Sequence, residues 1–230
     1  MYQQAVSIQR ETDDKSYYAA SLVAIGKLQR QKGDSDGAKK KYEEALALRR
    51  QLGEKGTVAE TQMALAELDC DSGHASEAET RAREAIEEFR AEGEADLEIQ
   101  SEALLSRSLL QKERIEDAQQ AMARALTLSN KSSDVTVHLP LMIQNAYMRA
   151  AVKDVRKAER LAHNAMVEAN KLGFVRFELE ASLAAGEIQL HGNNPALGRK
   201  RLEETGKTAR SKGFELIARK ASTARETTNP

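Results

Sequence analysis

Laid on a period of 40 residues, the sequence repeats its chemistry. Ala38, Ala78, Ala118, Ala158 and Gly198 fall in one column, Ala45, Ala85, Ala125, Ala165 and Thr205 in a second, and Gly26, Ala66, Ser106, Ala146 and Gly186 in a third. All three columns are small throughout. Gly53, Gly93, Ser133, Gly173 and Gly213 close the units, and Gly33 and Gly73 mark an internal turn that continues as Glu113, Lys153 and Asn193. A fixed period of this length marks a chain that stacks one supersecondary unit on the next, and it constrains the fold more than any local signal.

Within the units the apolar spacing is helical, as in Leu22, Ile25, Leu28 and in Leu161, Ala165, Met166, Ala169. Composition agrees: 31% of the 230 residues are charged and only 13 are Gly and 3 Pro, the usage of long helices. Each unit therefore predicts two helices, an A helix over Ser16 to Gln31 and a B helix over Ser35 to Leu52 in the first unit. Gly33-Asp34-Ser35-Asp36 separates them, Gly53 is a left-handed stop, and Asp154 and Asn194-Pro195 are N-cap and first-turn signals for later B helices. Pro140 is placed in the opening turn of its A helix, which leaves no proline in a helix interior. The small columns let helix axes approach closely where they cross, while Leu65, Leu105, Tyr42, Met122 and Leu202 fill the grooves beside them. Asn145 breaks an otherwise apolar or small column; a buried amide needs partners, so it is expected either to bond a backbone group or neighbour, or to face a ligand with Gln144 and Tyr147.

The expected fold is all-α, an α-α superhelix forming one solenoid domain over 1–230. Its parts are a half unit at 1–13, repeats at 14–53, 54–93, 94–133, 134–173 and 174–213, and a capping helix at 214–226. The half unit is read from the opening MYQQAVSIQRETDDK, which answers YEEALALRRQLGEK residue for residue at Tyr2 and Tyr42, Ala5 and Ala45, Arg10 and Arg50. It reads as the second half of a B helix, the chain as a fragment of a larger protein, and the half unit's apolar face as exposed, mobile or borrowed for contact with another copy in a homo-oligomer.

The formal charge of -1 provides no general attraction for nucleic acid or an anionic membrane, and neither partner is expected. Locally the balance is uneven. Residues 54–102 hold 15 acids and 4 bases, a net of -11, and residues 195–230 hold 9 bases and 4 acids, a net of +5. These are either solvated faces or docking surfaces, for a basic partner or for each other in a head-to-tail assembly. The one cysteine, Cys70, excludes an internal disulfide and fits a reducing, cytoplasmic setting. His74, His138, His163 and His191 lack metal-ligand spacing, and no glycine-rich phosphate loop occurs, so no metal, cofactor or catalytic residue is expected.

The pattern resembles the tetratricopeptide repeat. Gly26, Ala38, Tyr42 and Ala45 carry the family's signature in the first unit, and Ala66, Ala78, Ala82 and Ala85 in the second. The unit is about 40 residues rather than about 34 and lacks the helix-ending Pro, which resembles the long-unit arrays of bacterial regulatory proteins. The resemblance implies a right-handed solenoid with A helices lining a concave face, and a non-enzymatic role in binding a protein or peptide partner. An alternative is a sensory module that controls an attached kinase or DNA-binding domain through a peptide or small effector. Family contact positions fall on Val23, Met63, Ala103, Ile143 and Leu183, and on Lys27, Glu67, Arg107, Tyr147 and Glu187. Among these, Val23, Lys27, Met63, Glu67, Arg107, Ile143, Tyr147 and Glu187 are the candidate partner-binding residues. The carboxylate clamp that some members use is absent, since its places hold Val23, Lys27, Ala64, Gln100 and Leu104.

Overall fold

A computed structural model describes residues 15–192 and 194–226. The half unit at 1–13, with the homo-oligomer contact expected of it, and the turn residue Asn193 lie outside the described residues. The helices are α1 (Lys15–Gln31), α2 (Ser35–Leu52), α3 (Lys55–Asp71), α4 (Ala75–Glu92), α5 (Ala95–Gln111), α6 (Ile115–Ser129), α7 (Val135–Ala151), α8 (Val155–Leu172), α9 (Val175–His191), α10 (Pro195–Ser211) and α11 (Glu215–Glu226). Odd-numbered helices are A helices and even-numbered ones B helices. The first hairpin matches its sequence expectation to within one residue.

The helix boundaries follow from local chemistry. Asp34, Asp154 and Asn194 cap α2, α8 and α10 by accepting the amide protons of Gly37, Lys157 and Leu197. Gly53, Gly93, Gly173 and Gly213 stand in the left-handed region where units end. The internal turn needs the same conformation. Gly33 and Gly73 adopt it, and Glu113 (φ 58°) and Lys153 (φ 64°) are forced into it with side chains attached. Two expectations fail. Ser133 does not close its unit: α6 ends early at Ser129, Asn130 is right-handed, and Asp134, in extended backbone, restarts the chain by accepting the amide proton of Thr136. Pro140 does not lie in an opening turn: α7 begins at Val135, so the proline occupies its second turn and leaves the carbonyl of Thr136 without its usual intrahelical donor.

The small columns sit at the crossings. Ala38, Ala78, Ala118 and Ala158 are fully buried, as are Ala45, Ala85, Ala125 and Ala165. The third column matches the bulk that faces it. A Cβ at Gly26 would lie 2.5 Å from the Tyr42 ring, and one at Gly186 would lie 2.8 Å from the Leu202 side chain. In the second and fourth units alanines occupy both places, Ala66 with Ala82 and Ala146 with Ala162, each pair in a common apolar cluster.

Every A helix touches the next A helix, and each B helix touches only its own A helix and the one that follows, among the described residues. The A helices therefore form the inner wall and the B helices the outer. The sixth A helix, α11, also touches the first, α1, so the superhelix closes on itself as a ring. Apolar clusters run from helix to helix around this ring, but among the described residues none joins α11 to α1.

Candidate functional site: a lumen inside the ring

The six A helices enclose a lumen of two cavities, about 820 Å³ and about 560 Å³, which share Asp71, Tyr147, Glu187, Leu216 and Lys220. Those shared residues form a waist. The larger cavity opens past the C-terminal ends of α3, α7 and α9, beside Ser72, Lys153 and His191. The smaller extends along α5 and the N-terminal halves of α7, α9 and α11, and its wall mixes Leu104, Leu141, Leu183 and Ile217 with Gln100 and Gln144.

Asp71, the last residue of α3, organises the waist. Its side chain is 1% exposed and accepts hydrogen bonds from Arg30 Nε at 2.6 Å, Arg107 Nη2 at 2.6 Å and Lys220 Nζ at 2.5 Å. Arg30 also donates to Glu67 at 2.6 Å. Burial by itself would raise the pKa of Asp71, but the three cations outweigh it and hold the carboxylate far below its usual range. Burial likewise opposes the charge on Arg30 and Arg107, and the facing carboxylates overcome it, holding both above the ordinary guanidinium value. Lys220 goes the other way: burial and the neighbouring Arg107 lower its pKa despite Asp71.

Across the waist, Tyr147 Oη donates to Glu187 Oε2 at 2.7 Å. Burial pushes the Glu187 carboxyl above its ordinary value, more than the Tyr147 bond and the cations Lys220, His191 and Arg107 can reverse. The lumen thus holds one carboxylate locked in its ionised form and another biased toward neutrality. Cys70, 2% exposed beside Asp71, is pushed up to about 11 by burial and then by Asp71, Glu67 and Asp69, although Arg107 opposes the rise. At neutral pH it is an inert thiol rather than a nucleophile.

The structure brings Glu67, Arg107, Ile143, Tyr147 and Glu187 to the lumen wall, with Ala103 and Leu183 of the apolar column. Val23 and Met63 pack into the wall's apolar clusters, and Lys27 is exposed and lines neither cavity. The seam at α1 explains this division, because there the lumen is reached by Arg30, near the C-terminal end of that helix. Sequence reading missed Arg30, Asp71 and Lys220. The first two lie one helical turn beyond the columns read, where the same period continued through Cys70, Leu110 and Gln111 would have found them. Lys220 carried no such signal, since its role depends on the ring closing. That closure also joins the acidic second unit to the basic tail within one chain, through Asp71 and Lys220.

Asn145 is 7% exposed, and its Oδ1 has no partner, contrary to the expected backbone or neighbour bond; Gln144 beside it lines the smaller cavity. His74 and His163 are exposed, His138 Nε2 lies 2.9 Å from the Ser132 carbonyl oxygen, and no cluster of metal-ligating side chains occurs among the described residues. No helix of the described residues is long and apolar enough to cross a membrane.

Comparisons with known proteins agree on architecture. No protein-family model matches the chain, and no curated protein matches it. Among solved structures, a Rap protein complexed with Competence and Sporulation Factor superposes with a TM-score of 0.74 at 13% identity, covering 90% of this chain and 57% of that one. BtubC (BKLC) from P. vanneervenii superposes with a TM-score of 0.58 at 15% identity, covering 100% of this chain and 92% of that one. The fold is a tetratricopeptide-like helical repeat. The chain spans little more than half the length of the Rap protein.

Proposed function

We propose that the ring is a non-enzymatic recognition module that holds a peptide or a segment of a partner protein in its lumen. The observation that carries this reading is the lumen: buried ionic groups at its waist and the amides Gln100 and Gln144 in the smaller cavity, set among apolar side chains in a space large enough for several residues of polypeptide. A peptide needs such a surface, because its main chain requires hydrogen-bonding partners and its side chains alternate in character. Glu67, Arg107, Ile143, Tyr147 and Glu187 are the contact residues, and Val23 and Met63 support the wall. The acids beside them are committed to ion pairs or to Tyr147, and Cys70 is held protonated, which favours binding over chemistry. The Rap structure, itself a complex with Competence and Sporulation Factor, supports a regulatory setting for a solenoid of this shape. One free buried thiol suits the reducing cytoplasm assumed for it.

Selection of a displayed random peptide library on the immobilised protein tests this. Tyr147→Ala and Gln100→Ala should weaken the selected peptides by about tenfold, the loss of one well-buried contact, while Lys27→Ala leaves affinity unchanged. Equal affinity in both lumen variants would refute the site.

The cavity volumes, each within the range of small-molecule pockets, favour a second reading in which a small effector fills the lumen and controls an attached domain. Thermal stabilisation by a compound of metabolite size, without any peptide, would select it.

A further inference from the structure

Each junction between sequence neighbours in the ring is sealed by apolar packing: α1 to α3 share one cluster, α3 to α7 another, α7 to α9 a third and α9 to α11 a fourth. The junction that closes the ring is different in kind. Lys220 on α11 donates to Asp71 on α3, and Arg219 Nη2 donates to the carbonyl oxygen of Gly33 at 2.8 Å, where the turn after α1 lies beneath the guanidinium. Among the described residues no apolar cluster spans α11 and α1.

We propose that this seam is a gate: the ring opens between α1 and α11 to admit a ligand too bulky for the mouth beside Ser72, Lys153 and His191, and the Lys220–Asp71 pair with the Arg219–Gly33 contact is the latch that holds it shut. Polar contacts at a partly exposed edge are screened by salt, whereas the packing of the apolar junctions is not. Asp71 suits a reversible latch because it does not depend on the latch for its charge balance. When Lys220 leaves, Arg30 and Arg107 still hold the carboxylate, so opening strands no buried anion. Lys220 in turn gains hydration that its partly buried position denies it, consistent with its lowered pKa. The waist thereby couples access to binding, since the residue that closes the seam also lines both cavities. The gate deepens the lumen-binding reading but is tested without any ligand.

Cys70 is a native reporter. It is the only cysteine in the sequence, lines the smaller cavity next to Asp71, and is 2% exposed. Its reaction with the neutral aromatic disulfide 4,4′-dithiodipyridine at pH 8, followed by absorbance, reads how often the lumen opens. In the Arg219→Met, Lys220→Met double variant the rate should rise by about tenfold, with the thermal midpoint lowered only by the few degrees that this loss from the closed state gives, and Lys220→Arg on its own should keep the wild-type rate. In the wild type the rate should rise with added NaCl. An unchanged rate in the double variant overturns the gate. So does an equal rise in Ala158→Leu, a core variant away from the seam that lowers the midpoint by packing alone, because exposure would then come from general unfolding. If peptide selection fails while Cys70 behaves as expected, the gate stands and the binding reading falls; the reverse result removes only the gate.

Discussion

At the scale of single residues, the waist pairs two carboxyl groups of opposite tendency, and each gives a signed prediction. Asp71 is ionised in the folded protein well below its ordinary pKa, so its contribution to stability is present above that ordinary value of ~4 and is lost as pH falls below it. Asp71→Asn should cost on the order of 3–5 kcal/mol in denaturant unfolding, because Arg30, Arg107 and Lys220 would lose their shared buried counter-charge. Glu187 is raised, so its favourable contribution is present below the ordinary glutamate value and is lost as pH rises through the folded one. Glu187→Gln keeps an acceptor for the Tyr147 hydroxyl without the charge, and should raise the thermal midpoint at pH 7.5 but not at pH 4. A lower midpoint at both values would contradict the assignment.

At the scale of helices and turns, one constraint recurs in the first four units and is met by different residues. The turn between A and B helices requires left-handed backbone, which glycine adopts freely and Glu113 and Lys153 do not. Lys153→Gly should therefore stabilise the protein by about 0.5–1 kcal/mol, read from the denaturation midpoint, whereas Gly73→Ala at the equivalent turn should destabilise it by a similar amount. At the crossings, Ala78→Leu and Ala118→Leu should each cost about 1–3 kcal/mol by overpacking; unchanged melting would contradict the register. The helices were legible because each of their signals is local: the small columns, Asp34, Asp154 and Asn194-Pro195 as caps, Gly53 and its equivalents as stops. Where such a signal was missing, the reading slipped. Ser133 kept the period but could not supply the backbone of a stop, and Pro140 appeared harmless until Asp134 placed the helix start ahead of it.

At the scale of the whole molecule, the decisive event is closure, and a repeat pattern does not encode it directly. The period specifies that units stack, while the small rotation between successive units, summed over the array, determines whether the last A helix meets the first. Glu67, Arg107, Tyr147 and Glu187 could be read as lining residues because they share one helical face; Lys220 could not, since Asp71 reaches it from 149 positions away. The charge imbalance between the acidic second unit and the basic tail was visible, and one ion pair, Asp71 with Lys220, joins the two segments within the chain. The measurement that tests the lumen as the binding site most directly is photo-crosslinking with p-benzoylphenylalanine placed at Tyr147 inside the ring or at His163 on the exposed outer face, using a peptide selected for binding. The ring account predicts an adduct from position 147 and none from position 163. An adduct from the outer face alone would contradict it.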